Sequence, residues 1–340
     1  MHKLLFTILR CRLEDVVAVG VSLCLLVLFL TTRLFHSFSF GMHDLIFILL
    51  PVGALGVKTL LGILSGGREV ADADVGPFQF IALTLQPFLK LIRDWFPFLL
   101  LSACYFSLFS NLILRVNSHT ADAFLARIDG ALLGNQPSLL LERFVHPWLT
   151  DFLSLVYFSF VFYLPGMALY FYSRGARPAF RRLMMGYLTL MLMGVISYLL
   201  VPAVGPDKFL ADSYAHDLKG KMVTHGVDFI MQNARVAHDC FPSLHVAIPL
   251  LLALFIRDYS RKWMPAALGY VGLMCCATIY LRYHYLIDVL AAFVYAPVAY
   301  RLNDFLLARW PGERLGRPIA APRSVSAPAP VPVLPRAQRP

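Results

Sequence analysis

Apolar runs of about twenty residues recur along this chain, a length that matches the hydrocarbon core of a bilayer crossed by a helix. In lipid every backbone N–H and C=O must be satisfied inside the segment, so such runs are read as membrane helices rather than as open strands. The candidate spans are 16–34, 43–65, 95–115, 150–172, 183–203, 243–257, 265–281 and 285–303. The sixth is short and opens on a Pro-Ser turn. Residues 77–92 are apolar but broken by Pro87, which fits an interfacial helix better than a ninth span. A cytosolic enzyme is excluded by composition, since only 15% of the 340 residues are charged while 59% are hydrophobic; a soluble domain carries about 25% charged residues. Six cysteines do not make a disulfide framework. The expected fold is all-α, a polytopic membrane bundle of about eight transmembrane helices.

The net charge of +10 would suggest nucleic acid in a soluble protein. Here the basic residues collect in loops, with no basic stripe interleaved with aromatics, so nucleic acid is not expected as a partner. Arg174, Arg177, Arg181 and Arg182 follow the fourth span; Arg257, Arg261 and Lys262 follow the sixth; Arg301, Arg309, Arg314 and Arg317 follow the eighth. Placing these loops in the cytoplasm puts 116–149, 204–242 and the turn near 282 on the other face, and leaves both termini cytoplasmic. Trp95, Trp148 and Trp263 fall at span ends, where interfacial rings prefer to sit. Asp122 and Asp129 are expected on an amphipathic helix over the outer surface. From Pro311 onward, eight prolines in thirty residues read as a disordered tail. The expected division is 1–92, a pair of spans with an amphipathic connector; 93–305, the membrane core; and 306–340, the tail.

Two polar clusters interrupt this apolar background. One is His238-Asp-Cys-Phe-Pro-Ser-Leu-His245, at the outer mouth of the sixth span; the other is Thr278-Ile-Tyr-Leu-Arg282-Tyr-His284-Tyr-Leu-Ile-Asp288, where the seventh span turns into the eighth. The orientation above puts both on the non-cytoplasmic face. His284 and Asp288 are four residues apart, so on a helix they stack on one side. A carboxylate there can take one imidazole N–H and raise the basicity of the other nitrogen. Pro242 and Ser243 supply a fixed helix entry and a capping hydroxyl, and the N-terminal N–H groups beyond them attract phosphate. His245 sits in that first turn.

Phe-Pro-Ser-Leu-His (241–245) and His-Tyr-x-x-Asp (284–288), separated by membrane spans, resemble two motifs of the type 2 phosphatidic acid phosphatase superfamily. Leu244 before His245, the pattern Thr278-x-Tyr-Leu-x-x-His284, and Tyr198-Leu-Leu-Val-Pro202-Ala-Val-Gly205-Pro206 are similar to its aureobasidin-resistance branch, which includes inositol phosphorylceramide synthases. The resemblance covers roughly 120–305. It implies a six-helix phosphatase-like core and phosphoryl transfer through a phosphohistidine without cofactor or metal. On this sequence His284 would be the nucleophile, Asp288 its orienting partner, and His245 the acid toward the leaving group and then the base toward water or an alcohol. The implied function is that of a membrane lipid phosphatase or phosphotransferase working at the periplasmic, lumenal or exterior face. Its substrate would be a membrane lipid phosphoester, and a lipid or polyol hydroxyl would serve as acceptor.

The family's first motif is missing, and Thr278 stands where an arginine is expected. Candidate phosphate-binding groups are then Arg282, Lys208 and Arg235, with Ser243 at the helix start. Two readings of other chemistry use the same residues: a zinc-dependent hydrolase with ligands among His238, Asp239, His245, His284 and Asp288, and a transporter coupled to protons through the His-Asp pair. Lys58 is expected to snorkel or to line a packed face of the second span, and Cys275-Cys276 is read as small-residue packing within the seventh.

Overall fold

The computed structural model describes residues 12–31, 89–90, 92–102, 105, 110–224, 226–227 and 236–310. Among these the chain is helical without a strand, apart from one parallel bridge between Ala203 and Asp239. The main helices are α1 (Leu13–Thr31), α2 (Ser110–Val116), α3 (Asp122–Leu133), α4 (Pro147–Ser173), α5 (Arg177–Leu200), α6 (Leu244–Tyr259), α7 (Met264–Tyr280) and α8 (Leu286–Arg309). Four segments of the described residues are long and apolar enough to cross a membrane: α4, α5, Arg261–Tyr280 and α8. The protein is an integral-membrane helical bundle. Expected spans 43–65 and, in part, 95–115 lie outside the described residues, as do Lys58, most of the 77–92 connector and the Pro-rich tail.

Helix α6 is the hub. It packs against α4, α5, α7 and α8, and residues from Leu244 to Leu252 are buried apart from His245. Its 16 residues are too few to span a bilayer, and they need not, because other helices rather than lipid meet its surface. Such a helix is apolar all round rather than amphipathic. Close approach of α5 depends on Gly194, where an added Cβ would come within 2.8 Å of Leu244 Cδ1; small residues play this role where membrane helices touch. Pro165, Pro249 and Pro297 lie inside α4, α6 and α8, each removing one intrahelical N–H donor.

One end of the bundle is tied by charge. Arg182, at the start of α5, donates to Asp304 at 2.7 Å and to Asp258 at 2.8 Å, near the ends of α8 and α6. Arg181 pairs with Glu14, and both Arg12 and Arg177 pair with Asp94. The expected cytoplasmic arginines are thus structural clamps at the end of the bundle opposite His245 and His284. Trp95 departs from expectation: it is buried against Phe98, Tyr172 and Phe180 rather than interfacial. Trp148 and Trp263 are exposed.

Candidate active site

The turn carrying the second polar cluster begins at the C-terminus of α7. Tyr283 N–H donates to Thr278 C=O at 3.0 Å and Arg282 N–H to Ile279 C=O at 3.0 Å, the paired bonds that close a helix through a left-handed residue. That residue is Arg282, at φ 66°, where glycine is the usual choice and a side chain is strained. The strain is held by what Arg282 touches. Its guanidinium donates to Glu142 at 3.0 Å and to the His216 carbonyl at 2.7 Å and lies over the Tyr214 ring at 3.7 Å, while its carbonyl accepts Asp207 N–H at 2.7 Å. Burial lowers the Arg282 pKa.

His284 follows, just before α8. Its Nδ1 is 3.4 Å from Asp288 Oδ2. The expectation of a shared helix face is corrected here: α8 starts at Leu286, and Asp288 is the third helical residue, its Oδ2 accepting Tyr285 N–H at 2.8 Å. A helix-start carboxylate folded back on the preceding turn, not an i,i+4 stack, makes the pair. Sequence reasoning also missed Cys240, whose thiol donates to Asp288 Oδ2 at 3.0 Å and lies 3.6 Å from His284 Nδ1.

His245, in the first turn of α6, approaches from the other side, with Nδ1 3.4 Å from His284 Nε2. Its ring stacks on Tyr157 at 4.5 Å and 23° and meets Phe160 at 4.6 Å. Ser243 is the N-cap by backbone, yet its buried hydroxyl makes no capping bond, which corrects that expectation. Ser243 N–H instead donates to the Asp288 carbonyl at 3.1 Å, stitching the starts of α6 and α8 together.

Both histidines line a cavity that runs inward between α4, α5 and α6, walled by Tyr105, Tyr157, Phe160, Tyr187, Met191 and Tyr198 among others. Of the expected cations among the described residues, Arg282 and Lys208, neither lines it. Arg282 is turned to Glu142, Lys208 is exposed on the short turn Pro206–Phe209, and Arg235 lies outside the described residues. Asp239, at the cavity wall, accepts Tyr105 O–H at 2.9 Å. The five-residue metal set is therefore not what gathers. Among the described residues the donors close enough to share an ion are Cys240, His284 and Asp288.

Two aspartates of α3 hold this turn from behind. Asp129 accepts Leu286 N–H at 2.6 Å and Ile287 N–H at 2.9 Å, the orphan donors of the α8 start. Asp122 accepts Tyr285 O–H at 3.0 Å, Gly205 N–H at 3.0 Å and Val204 N–H at 3.1 Å. Both are fully buried, correcting their expected place on an outer surface. Burial pushes the Asp129 carboxyl above the usual range against the pull of its two N–H donors. The spacing of seven between them, two turns on one face of α3, was the available signal.

Compared with known proteins, residues 123–302 match the model of the PAP2 superfamily. The chain is also similar to the inositol phosphorylceramide synthase catalytic subunit aur1 of Schizosaccharomyces pombe (strain 972 / ATCC 24843), 32% identical over 68 residues that span 20% of this chain and 16% of that protein. No solved structure matches the chain.

Proposed function

This chain belongs to the PAP2 superfamily, and from that premise we propose that it is a membrane phosphatase or phosphotransferase acting on lipid phosphoesters through a phosphohistidine. The observation that carries the reading is the approach of His245 to His284, backed by a buried carboxylate. In this scheme the Asp288 carboxylate accepts the hydrogen bond from His284 Nδ1–H, which fixes the tautomer and leaves the Nε2 lone pair for phosphorus. The substrate separates the two rings. Nε2 attacks phosphorus, the P–O bond to the leaving group breaks, and His245 gives its proton to the departing oxygen. In the second half His245 takes a proton from water or an alcohol, whose oxygen displaces His284. General acid-base help of this kind is worth about 10²–10⁴ in rate. The amide N–H groups at the start of α6 are the proposed seat of the phosphate oxygens, since no lysine or arginine lines the cavity among the described residues. We assign Arg282 to anchoring the outer loop.

An amphiphilic substrate suits this position, with its headgroup at the histidines and its chain against the aromatic wall. The similarity to an inositol phosphorylceramide synthase subunit favours transfer to a lipid or polyol alcohol over hydrolysis. The arginine clamps at the opposite end support a site on the non-cytoplasmic face, with both termini inside. The division into 1–92, 93–305 and 306–340 is retained as part of the proposal. Purified protein is incubated with a panel of headgroup-labelled phospholipids, with and without diacylglycerol, ceramide and inositol as acceptors. Labelled product that depends on an acceptor, and is lost in His245→Ala, supports the transferase; release of label with water alone makes it a phosphatase; no turnover of any phospholipid overturns the reading.

A further inference from the structure

We propose that Cys240, His284 and Asp288 form a binding site for a thiophilic divalent cation of the zinc class. Their ligand atoms make a compact triangle: Cys240 Sγ is 3.0 Å from Asp288 Oδ2 and 3.6 Å from His284 Nδ1, and Nδ1 is 3.4 Å from Oδ2. Zinc bonds of about 2.3 Å to sulfur and about 2.0 Å to nitrogen or oxygen, at tetrahedral angles, place ligand atoms roughly 3.3–3.6 Å apart. Two edges already fit. The sulfur-oxygen edge needs to open by about half an ångström, as it will once the proton between them has gone.

Independent support comes from Asp288. Its side chain is fully buried and its Oδ1 has no hydrogen-bond partner among the described residues. An acceptor left unsatisfied inside a protein is costly and calls for an explanation. A cation held by both carboxylate oxygens, Oδ1 as well as the Oδ2 of the triangle, answers it. Entry is available, because Cys240 and His284 both line the cavity. A serine at position 240 would donate to Asp288 better than a thiol does; what sulfur adds is a soft ligand.

Binding is balanced as follows. Cys240 releases its thiol proton to solvent as the sulfur–metal bond forms. His284 contributes the Nδ1 lone pair, and its single ring proton moves to Nε2. The ring then has no free electron pair facing phosphorus, so the occupied site is an inhibited state. That consequence rests on His284 being the nucleophile; the binding itself does not.

The test titrates the full-length protein in detergent with Cd²⁺ alone and follows the ultraviolet thiolate-to-cadmium charge-transfer band, together with thermal unfolding. One saturating equivalent per chain is expected. Cys240→Ser should lose the band, and Asp288→Asn should bind at least about tenfold more weakly, a usual effect of disturbing a metal's ligand sphere. Cys275→Ser and Cys276→Ser should keep the band, and Cd²⁺ should raise the unfolding temperature of the wild type but not of Cys240→Ser or Cys240→Ala. A wild type with no saturable band, or a Cys240→Ser protein with an unchanged one, overturns the site. If the band forms while Zn²⁺ leaves turnover untouched, the site stands and the assignment of His284 as nucleophile fails.

Discussion

His284 Nε2 and His245 Nδ1 are 3.4 Å apart although the residues come from different helix starts. The backbone bond from Ser243 N–H to the Asp288 carbonyl fixes that meeting, because it ties the first turn of α6 to the first turn of α8.

Tyr157 is expected to position His245, since the two rings stack at 4.5 Å. Tyr157→Ala should lower kcat by about 10–100-fold with a smaller change in KM, the scale of loss that follows a misplaced catalytic group. Tyr157→Phe keeps the stack and should keep most of the activity. Steady-state kinetics on both variants decide it. Equal losses in the two would assign the role to the hydroxyl instead.

Arg282 combines strain and pairing in one residue, and substitutions separate them. Arg282→Gly and Arg282→Ala both lose the bond to Glu142. Only alanine retains the left-handed penalty, about 1–2 kcal/mol. Thermal unfolding in detergent should therefore rank wild type above Arg282→Gly, and Arg282→Gly above Arg282→Ala. Glu142→Gln, which keeps an acceptor for the His216 N–H, should add little in either background. A large rise in KM with unchanged stability would instead mark Arg282 as a phosphate-binding residue.

Asp129 should be as important to the site as a residue that touches substrate, without touching it. Asn can accept at one oxygen only, so Asp129→Asn leaves one of the two half-buried N–H groups of Leu286 and Ile287 unmet. The expected cost is about 1–3 kcal/mol, read as a lower unfolding temperature, with reduced turnover because Asp288 sits two residues further on. An unfolding temperature unchanged from wild type would contradict this.

Partial burial holds His238 below the ordinary imidazole value of 6.5, outweighing the nearby Asp122 carboxylate. For a base whose folded pKa is depressed, the unfolded chain binds more protons. Stability from this residue is thus intact above the ordinary imidazole range and is lost as pH falls through it. His238→Gln should flatten the acid side of a plot of unfolding temperature against pH between about 7 and 5. A slope unchanged from wild type would show that His238 does not contribute.

Much of this architecture could be read before any coordinates. Long apolar runs located α4, α5, α7 and α8, and the motif pair located His245, His284 and Asp288. What could not be read was how these residues meet. The i,i+4 rule gave the right partners for His284 by the wrong geometry, because helix propensity does not say that α8 starts two residues late. Asp122 and Asp129 looked like solvated charge, since a sequence does not reveal which face of a short helix is covered. Arg282 appeared to be the nearest free cation, but Glu142, 140 residues earlier, can be paired with it only in the folded chain. Cys240 was passed over because a thiol between two motif residues resembles ordinary packing.

The most direct measurement is a search for the covalent adduct. Purified protein is mixed with a phospholipid carrying labelled phosphorus, quenched in alkali where phosphohistidine survives, and digested for mass spectrometry. The account predicts a phosphoryl group on His284 in the wild type, none in His284→Ala, and slower formation in His245→Ala. Turnover by the His284→Ala protein, or an adduct on any other residue, would contradict it.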